Sequence, residues 1–81
     1  MSDLTLFIRK DCHLCSDMIS ELNKLKVRLD FNFKLIDVDS NVVLKNKYGN
    51  FVPVLNGEGD EEICHFHLDL KALDAYLVKI R

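Results

Sequence analysis

Two cysteines, Cys12 and Cys15, lie between a strand-like run and a helix-like run, and this arrangement restricts the fold more than any other feature of the chain. The run Leu4 to Ile8 is short and rich in strand formers, and charged residues end it. After Asp11 the apolar residues recur at helical spacing, which predicts an amphipathic helix. These residues are Leu14, Met18, Ile19, Leu22, Leu25 and Leu29. Asp11 is the expected N-cap, which places Cys12 at the first helical position.

A second strand and a short helix follow. Successive residues from Phe31 to Asp39 would point to opposite faces of a strand, and their pattern predicts a half-buried strand. Residues 39–49 predict a short helix with Asp39 or Ser40 as its N-cap. Gly49 is expected to end this helix in the left-handed conformation.

The last third of the chain predicts a hairpin and a final helix. Residues 51–55 and 61–66 have strand composition, and the turn residues Asn-Gly-Glu-Gly at 56–59 separate them. Asp69 precedes a helical pattern as a potential cap. The apolar face of that pattern consists of Leu70, Leu73, Leu77 and Ile80.

The predicted element order is β-α-β-α-β-β-α in a single domain of residues 1–81. The first β-α-β unit should cross over with a right hand, which makes its two strands parallel. The hairpin strands pair antiparallel, so the sheet is mixed. We therefore expect an α/β fold with a four-stranded mixed sheet and helices on both faces.

The composition suits an ordered domain, because 48% of the residues are hydrophobic and the chain has only one proline and three glycines. A net charge of −2 without long like-charge blocks counts against nucleic-acid or membrane-surface binding. No apolar run approaches the roughly 18 residues of a membrane span, and the first ten residues lack a signal-peptide pattern. We expect a monomer in the cytoplasm. An odd count of three cysteines there favours a redox or metal role over a disulfide framework.

Three features in a fixed order suggest a family. A strand leads to a CxxC pair at a helix start, Val52 and Pro53 precede a hairpin, and Asp69-Leu70 begins the last helix. In this order they resemble the thioredoxin superfamily in its short glutaredoxin form, over essentially the whole chain. The segments CHLC, DVDSN, LKNKYG and VPVL are most similar to glutaredoxin-like proteins. The resemblance implies a thioredoxin fold and a thiol-disulfide oxidoreductase that takes part in electron transport through a redox-active disulfide.

Several positions depart from the glutaredoxin pattern. His13 and Leu14 stand where Pro-Tyr usually separates the cysteines, and Phe51 stands where threonine precedes Val-Pro. His65 and Phe66 occupy the place of a Gly-Gly pair whose backbone meets glutathione. These departures count against glutathione as a co-substrate, and we expect no other cofactor. The expected partner is a disulfide-containing protein or a glutathione-type thiol.

The chemistry of the pair requires a thiolate. A free cysteine with a pKa near 8.5 is only a few per cent ionised at neutral pH, and the N-terminus of a helix favours the anion. We expect Cys12 to be the nucleophile and Cys15 to resolve the mixed disulfide. His13 and Lys10 are candidates for raising the local positive potential, and the alternative is that both are solvated residues without a role.

Four residues are candidates for substrate binding. In the resembling family a basic residue three positions before the first cysteine meets a substrate carboxylate, and Arg9 has this position. Val52 and Pro53 correspond to a segment with a cis-proline that lies against the CxxC pair and binds an incoming peptide. The alternative for Pro53 is a trans proline at a strand edge. Asp69 is a candidate for a helix cap, a ligand contact or both.

The hairpin should return residues 65–69 to the end of the sheet where the cysteines lie. His67 is there a candidate for a pH-sensitive lid residue, and a surface histidine without a role is the alternative. Cys64 is predicted to be a small buried hydrophobe.

Two rival functions use the same residues. Cys12, Cys15 and the segment Cys64 to His67 contain zinc-ligand types, but Cys64 and His65 point to opposite faces of a strand. We therefore expect no metal site. The other rival is a non-catalytic binding module that docks a partner at the groove between the CxxC pair and the proline.

Overall fold

The structure is a computed structural model that describes residues 2–81, with only the backbone described for Ser2. Within these residues the strands and α-helices follow one another in the predicted order, β-α-β-α-β-β-α. The strands are β1 (Ser2–Ile8), β2 (Phe31–Asp37), β3 (Val54–Asn56) and β4 (Glu62–His65). The helices are α1 (His13–Leu25), α2 (Val42–Tyr48) and α3 (Leu70–Ile80). The predicted α/β fold class is confirmed.

The four strands form one mixed sheet in the order β2-β1-β3-β4. β1 and β2 are parallel, whereas β3 is antiparallel to both β1 and β4. Phe7 of β1 lies opposite Val54 of β3, and Val54 lies opposite His65 of β4. β1 and β4 therefore finish, and β3 begins, at the same end of the sheet. We call this the site end.

Helices cover both faces of the sheet, as the sequence predicts. The side chains of α1 and α3 pack on one face with Leu4, Leu6, Phe31, Leu55 and Cys64. On the other face Tyr48 of α2 packs with Phe7, Val38 and Val54, and the Phe7 and Tyr48 rings stack with centroids 4.2 Å apart. Full burial of one large apolar side chain contributes about 1.5–3 kcal/mol, so these two clusters hold the small domain together.

The start of α1 differs from the prediction. Cys12, rather than Asp11, is the N-cap, because its sulfur accepts a hydrogen bond from the backbone N–H of Cys15. Asp11 lies in the turn before the helix with a φ of 55° and does not cap it. α1 also ends at Leu25, and Leu29 packs against the core from the turn that follows.

The caps of α2 also differ from the prediction. The Asp37 carboxylate accepts the Asp39 N–H at 2.9 Å and starts a 3₁₀ turn at Val38–Ser40. Asn41 is therefore the N-cap of α2, and its side-chain oxygen accepts the N–H groups of Val43 and Leu44. Gly49 has a φ of −55°, so it continues the right-handed geometry instead of reversing it.

The third strand is shorter than the predicted segment. Phe51 lies outside β3, because its N–H donates to the Tyr48 carbonyl at 2.8 Å as part of the turn after α2. The Val52–Pro53 peptide bond that follows is cis, and Pro53 is buried directly before β3.

Candidate active site

The two cysteines of the CxxC motif lie in disulfide geometry at the start of α1, with their Cα atoms 5.2 Å apart. Cys12 is half-buried and faces a surface cleft, whereas Cys15 is only 2% exposed. The Cys15 N–H donates to the Cys12 sulfur at 3.1 Å. One sulfur of the pair is therefore open to a reactant, and the other is shielded behind it.

The cleft beside Cys12 has a volume of about 600 Å³. Its lining includes both cysteines together with Arg9, Lys10, Asp11 and His13. The structure thus brings the two predicted modulating residues, Lys10 and His13, to the cysteine. No acidic side chain lies in the first turn of α1, so no negative charge within that turn opposes the partial positive charge of its unpaired N–H groups.

His13 is exposed and interacts with its own helix. Its Nε2 atom lies 3.5 Å from the carboxylate of Asp17, one turn along α1, and its side chain is 89% exposed. Asp17 therefore places a negative charge beside the His13 ring, on the helix that begins next to Cys12.

Arg9 is engaged by the protein itself. Its Nε and one terminal nitrogen lie 3.2 and 3.1 Å from the two carboxylate oxygens of Asp39, in a two-point contact. The other terminal nitrogen lies 3.5 Å from the Gly49 carbonyl. Arg9 therefore ties the loop after β1 to the two ends of the α2 region. A substrate carboxylate would have to compete with Asp39 for Arg9, and no local pattern of residues connects Asp39 with Arg9.

Val52 and Pro53 lie at the site end but not in the cleft beside Cys12, whose lining excludes both. They precede β3, whose first residue, Val54, lies between the ends of β1 and β4. The Pro53 carbonyl accepts the N–H of Phe66 at 2.9 Å, which fixes the segment after β4 against the proline. The predicted site residues thus lie at one end of the sheet in two groups, one lining the cleft beside Cys12 and the other directly before β3.

A second depression, of about 730 Å³, lies between the end of β4 and the start of α3. It is lined by residues that include Cys64, His65, His67 and Asp69. Burial raises the pKa of the Cys64 thiol. A hydrogen bond from the backbone N–H of Asp69 lowers this pKa in part, and the negative charges of Asp69 and Glu62 raise it further. Cys64 is buried, as predicted, and stays a neutral thiol at neutral pH.

Asp69 caps α3 through its Oδ1 atom, which accepts the Ala72 N–H at 3.0 Å. We expect Asp69→Ala to lower the free energy of unfolding by about 1 kcal/mol, because the first turn of the helix loses this acceptor. Asp69→Ser keeps a capping oxygen and should recover most of the loss. Urea unfolding of both variants measures the difference, and an equal loss in Asp69→Ser would contradict the capping role.

Three aromatic rings form an exposed group at the site end that the sequence did not reveal. The centroid of the Phe51 ring lies 5.8 Å from that of His65 and 6.3 Å from that of Phe66, and the His65 and Phe66 centroids are 4.8 Å apart. Phe51 and Phe66 are 47% and 40% exposed. We call these three residues the aromatic cluster. The sequence marks Phe51, His65 and Phe66 as unusual replacements, but only the structure shows that the three are in contact.

Residues 3–78 match the sequence profile of a family described as "Glutaredoxin-like domain (DUF836)". This chain belongs to that family. The match spans both cysteines, the Val52–Pro53 step and the start of α3. A comparison with curated proteins finds no significant match.

Solved structures agree with the glutaredoxin-like assignment. The chain is 37% identical to protein Ne2328 from Nitrosomonas europaea, with a TM-score of 0.84 and coverage of 93% of this chain and 89% of that one. It is 32% identical to protein XcR50 from X. campestris, with a TM-score of 0.75 and coverage of 94% and 96%. Thioredoxin 1 from Thermosipho africanus, at 19% identity, a TM-score of 0.64 and coverage of 98% and 99%, shares the fold. The predicted thioredoxin fold is confirmed.

Two further properties of the glutaredoxin-like chain are described for residues 2–81. Among them, no three histidine, cysteine or acidic side chains are arranged to bind a metal ion. None of the helices in this part of the chain is long and apolar enough to cross a membrane.

Proposed function

We propose that this glutaredoxin-like protein is a thiol-disulfide oxidoreductase in which Cys12 attacks a substrate disulfide and Cys15 resolves the intermediate. The observation that carries the proposal is the asymmetry of the pair. Both cysteines border the cleft, but Cys12 at the N-terminus of α1 is half-buried, whereas Cys15 one turn further along is only 2% exposed. A nucleophile must meet the substrate, whereas a resolving thiol need only meet the nucleophile.

The first turn of α1 supports a thiolate at Cys12. Unpaired backbone N–H groups and the helix dipole stabilise an anion at this place, and hydrogen bonds to ionised groups are about twice as strong as neutral ones. In the reduced protein the Cys15 N–H, which lies 3.1 Å from the Cys12 sulfur, can donate to that thiolate. Each unit of pKa lowering corresponds to about 1.4 kcal/mol.

The reaction balances as a two-electron exchange. The Cys12 thiolate attacks one sulfur of the substrate disulfide, the substrate S–S bond breaks, and the other sulfur leaves as a thiolate that takes up a proton. The Cys15 thiol then loses its proton to solvent, and its thiolate attacks the Cys12 sulfur, which breaks the mixed disulfide and releases the second substrate sulfur as a thiolate that takes up a proton. The substrate gains two electrons, and the protein ends with the Cys12–Cys15 disulfide.

Substrate binding is proposed for the surrounding residues. Val52 and Pro53 would contact the substrate chain at the site end, and Asp69 would contribute at the second depression. Arg9 would contact a carboxylate only by sharing its guanidinium with Asp39. The proposed substrate is a protein or small-molecule disulfide, with glutathione as an alternative co-substrate. A reducing compartment such as the cytoplasm suits a protein that works from its dithiol form.

A redox titration tests the proposed function. The protein is equilibrated with glutathione buffers, free thiols are alkylated, and the species are weighed by mass spectrometry. We expect reversible formation of the Cys12–Cys15 disulfide at a potential between about −180 and −270 mV, the range from protein disulfide isomerase through glutaredoxins to thioredoxin. Cys64 should stay unmodified in the folded protein, and Cys64→Ala should give the same midpoint potential.

Two other outcomes have clear meanings. Accumulation of a Cys12–glutathione adduct would show glutathione as a co-substrate. Cysteines that stay reduced and react slowly across all buffers would contradict an oxidoreductase and favour the binding module.

A further inference from the structure

The guanidinium of Arg9, beside Cys12, is held by acceptors of the chain itself. Its Nε and one terminal nitrogen lie 3.2 and 3.1 Å from the two carboxylate oxygens of Asp39. The other terminal nitrogen lies 3.5 Å from the Gly49 carbonyl. A guanidinium is a planar fork of N–H donors that matches a carboxylate in a two-point contact. Asp39 therefore occupies one edge of this fork in the way an external carboxylate would, and Gly49 lies against another edge.

The backbone at Asp39 is fixed by contacts within the 3₁₀ turn that follows β2. The Asp39 N–H donates to the Asp37 carboxylate at 2.9 Å, and the Ser40 hydroxyl donates to the Asp37 carbonyl at 2.6 Å. Because Ile8 of β1 lies opposite Asp37 of the parallel strand β2, the chain leaves both strands at the same place. An acceptor held in this way acts at an effective concentration in the millimolar range or above. A carboxylate substrate at lower concentration displaces it poorly.

The Arg9–Asp39 pair is within reach of a substrate. The two side chains are 36% and 37% exposed, and Arg9 lines the same cleft as Cys12. Arg9 comes three positions before Cys12, so the chain allows their Cα atoms to be at most about 11 Å apart. A charged group close to a disulfide that reacts at Cys12 therefore meets a guanidinium already paired with a carboxylate.

The pairing changes which substrates the cleft favours. Arg9 without a partner would offer a positive charge and free donors to a substrate carboxylate. Paired with Asp39, it offers a contact without net charge, and the Asp39 oxygens repel a second carboxylate. A neutral group meets no such repulsion. Proteins gain specificity from a repulsive group of this kind as well as from attractive contacts.

We propose that Asp39 is a specificity-determining residue, which occupies Arg9 as an internal carboxylate and makes the active site favour disulfides without a carboxylate close to the reacting sulfur. This inference rests on the proposed function, because it narrows the substrate class of the same site. The chemical step is the two-electron exchange already described, in which the protein dithiol is oxidised and the substrate disulfide becomes two thiols. Arg9 and Asp39 exchange no bond in it.

The test uses two substrates that differ in one charged group. N-acetyl-cysteinyl-glycine is prepared with a free terminal carboxylate and as the terminal amide, and each form is oxidised to its symmetrical disulfide dimer. Reduced protein is mixed with each dimer in a single turnover at about 0.1 M salt, quenched with acid and analysed for released thiol. The measured quantity is the ratio of the carboxylate rate to the amide rate. Comparison of this ratio between variants removes the intrinsic reactivity of the two dimers.

We expect Asp39→Asn to raise this ratio about fivefold, near the upper end of what an exposed ion pair contributes. Asparagine keeps the shape of the side chain and the backbone N–H that donates to Asp37, but it leaves Arg9 its positive charge. In the double variant Arg9→Gln, Asp39→Asn the ratio should return to within about twofold of wild type, because the gain acts through Arg9.

Asp11→Asn controls for the loss of a negative charge at the cleft. Asp11 lines the cleft but is not among the side chains that contact Arg9 within residues 2–81. Asparagine tolerates the left-handed backbone of Asp11, so the turn before α1 keeps its conformation. We expect the carboxylate-to-amide ratio to change by less than about twofold in this variant.

Binding at Arg9 is read separately from chemistry. N-acetylglycine, which has the carboxylate but no sulfur, is titrated into ¹⁵N-labelled protein, and the side-chain Nε–H signal of Arg9 is followed. This signal should shift more in Asp39→Asn than in wild type at the same concentration. The backbone amide signals of the same spectra report whether each variant is folded.

The outcomes separate the inference from the proposed function. An unchanged ratio in Asp39→Asn, with both dimers reduced, would overturn the inference and leave the oxidoreductase intact. A rise of the same size in Asp11→Asn would also overturn it, because any lost negative charge would then suffice. Failure of the wild-type protein to reduce either dimer would contradict the oxidoreductase. The Arg9 signal would then decide, and equal shifts in wild type and Asp39→Asn would overturn the role of Asp39.

Discussion

Cys12→Ser should slow the reduction of a disulfide substrate by about 1,000-fold or more, because serine offers no nucleophilic thiolate at neutral pH. The wild-type sulfur lies at the N-terminus of α1 and faces the cleft, so it is the atom a substrate meets first. The measurement is the single-turnover release of thiol from a peptide disulfide by the prereduced protein.

Cys15→Ser should give a different result from Cys12→Ser. The first attack still takes place, but the mixed disulfide at Cys12 is not resolved, since Cys15 is the thiol one turn away. Intact mass spectrometry should then show one peptide added to the protein. Cys64→Ala is the matched control for the loss of a cysteine and should behave as wild type.

Two results would contradict these assignments. Trapping of the peptide in Cys12→Ser, rather than in Cys15→Ser, would exchange the roles of the two thiols. Undiminished activity in Cys12→Ser would place the reactive thiol at Cys15 or Cys64, the two cysteines that this variant keeps.

Gly57→Ala should lower the free energy of unfolding by roughly 2–4 kcal/mol, from overpacking and the loss of a hydrogen bond. Gly57 is buried after β3, and a Cβ atom there would overlap the ring of Tyr76. Tyr76 is only 5% exposed, and its hydroxyl accepts the Glu58 N–H at 2.7 Å. The ring cannot move aside without breaking this contact between α3 and the β3–β4 loop.

Gly59→Ala is the matched control in the same loop. Gly59 has a φ of 67° with open space around its Cα, so alanine adds only backbone strain, about 1–2 kcal/mol. Tyr76→Phe isolates the lost hydrogen bond and should cost about 1 kcal/mol. Urea unfolding of the three variants gives the comparison, and a cost at Gly57 no larger than that at Gly59 would show that the Tyr76 ring yields freely.

Local patterns in the sequence were sufficient for the order of elements. The structure has the helix predicted from the spacing that begins at Leu14 and the strand predicted from the alternation that begins at Phe31, although β2 ends at Asp37, two residues before the predicted end. Met18 and Leu22 of that helix and Phe31 of that strand lie in the core, whereas Leu35 is 49% exposed. Asp69 was predicted as a cap from its position alone, and it caps α3. Because a capping residue directly precedes its helix, it can be recognised from the sequence alone.

The misassigned caps show where local patterns fail. Asp11 and Cys12 are adjacent, as are Ser40 and Asn41, and each residue type can accept a hydrogen bond from a helix start. The choice depends on the turn before each helix. Asp11 takes a left-handed conformation after β1, and Asp37 starts a 3₁₀ turn that moves the N-cap of α2 one or two residues along the chain, from Asp39 or Ser40 to Asn41. Which of two neighbouring residues caps a helix therefore depends on the backbone conformation of the turn before it, and the neighbouring elements of the fold set that conformation.

The local pattern of residues was enough to predict the thioredoxin-like order of strands and helices, the placement of Cys12 and Cys15 at a helix start, and the burial of Cys64. The contact of Arg9 with Asp39 and the contacts of Phe51 with His65 and Phe66 depend on the packing of the whole fold. The difference lies in distance along the chain, because periodicity and capping are set by residues within one or two turns. Arg9 meets Asp39, 30 positions away, through the parallel pairing of β1 with β2, and Phe51 meets His65, 14 positions away, where β4 pairs with β3.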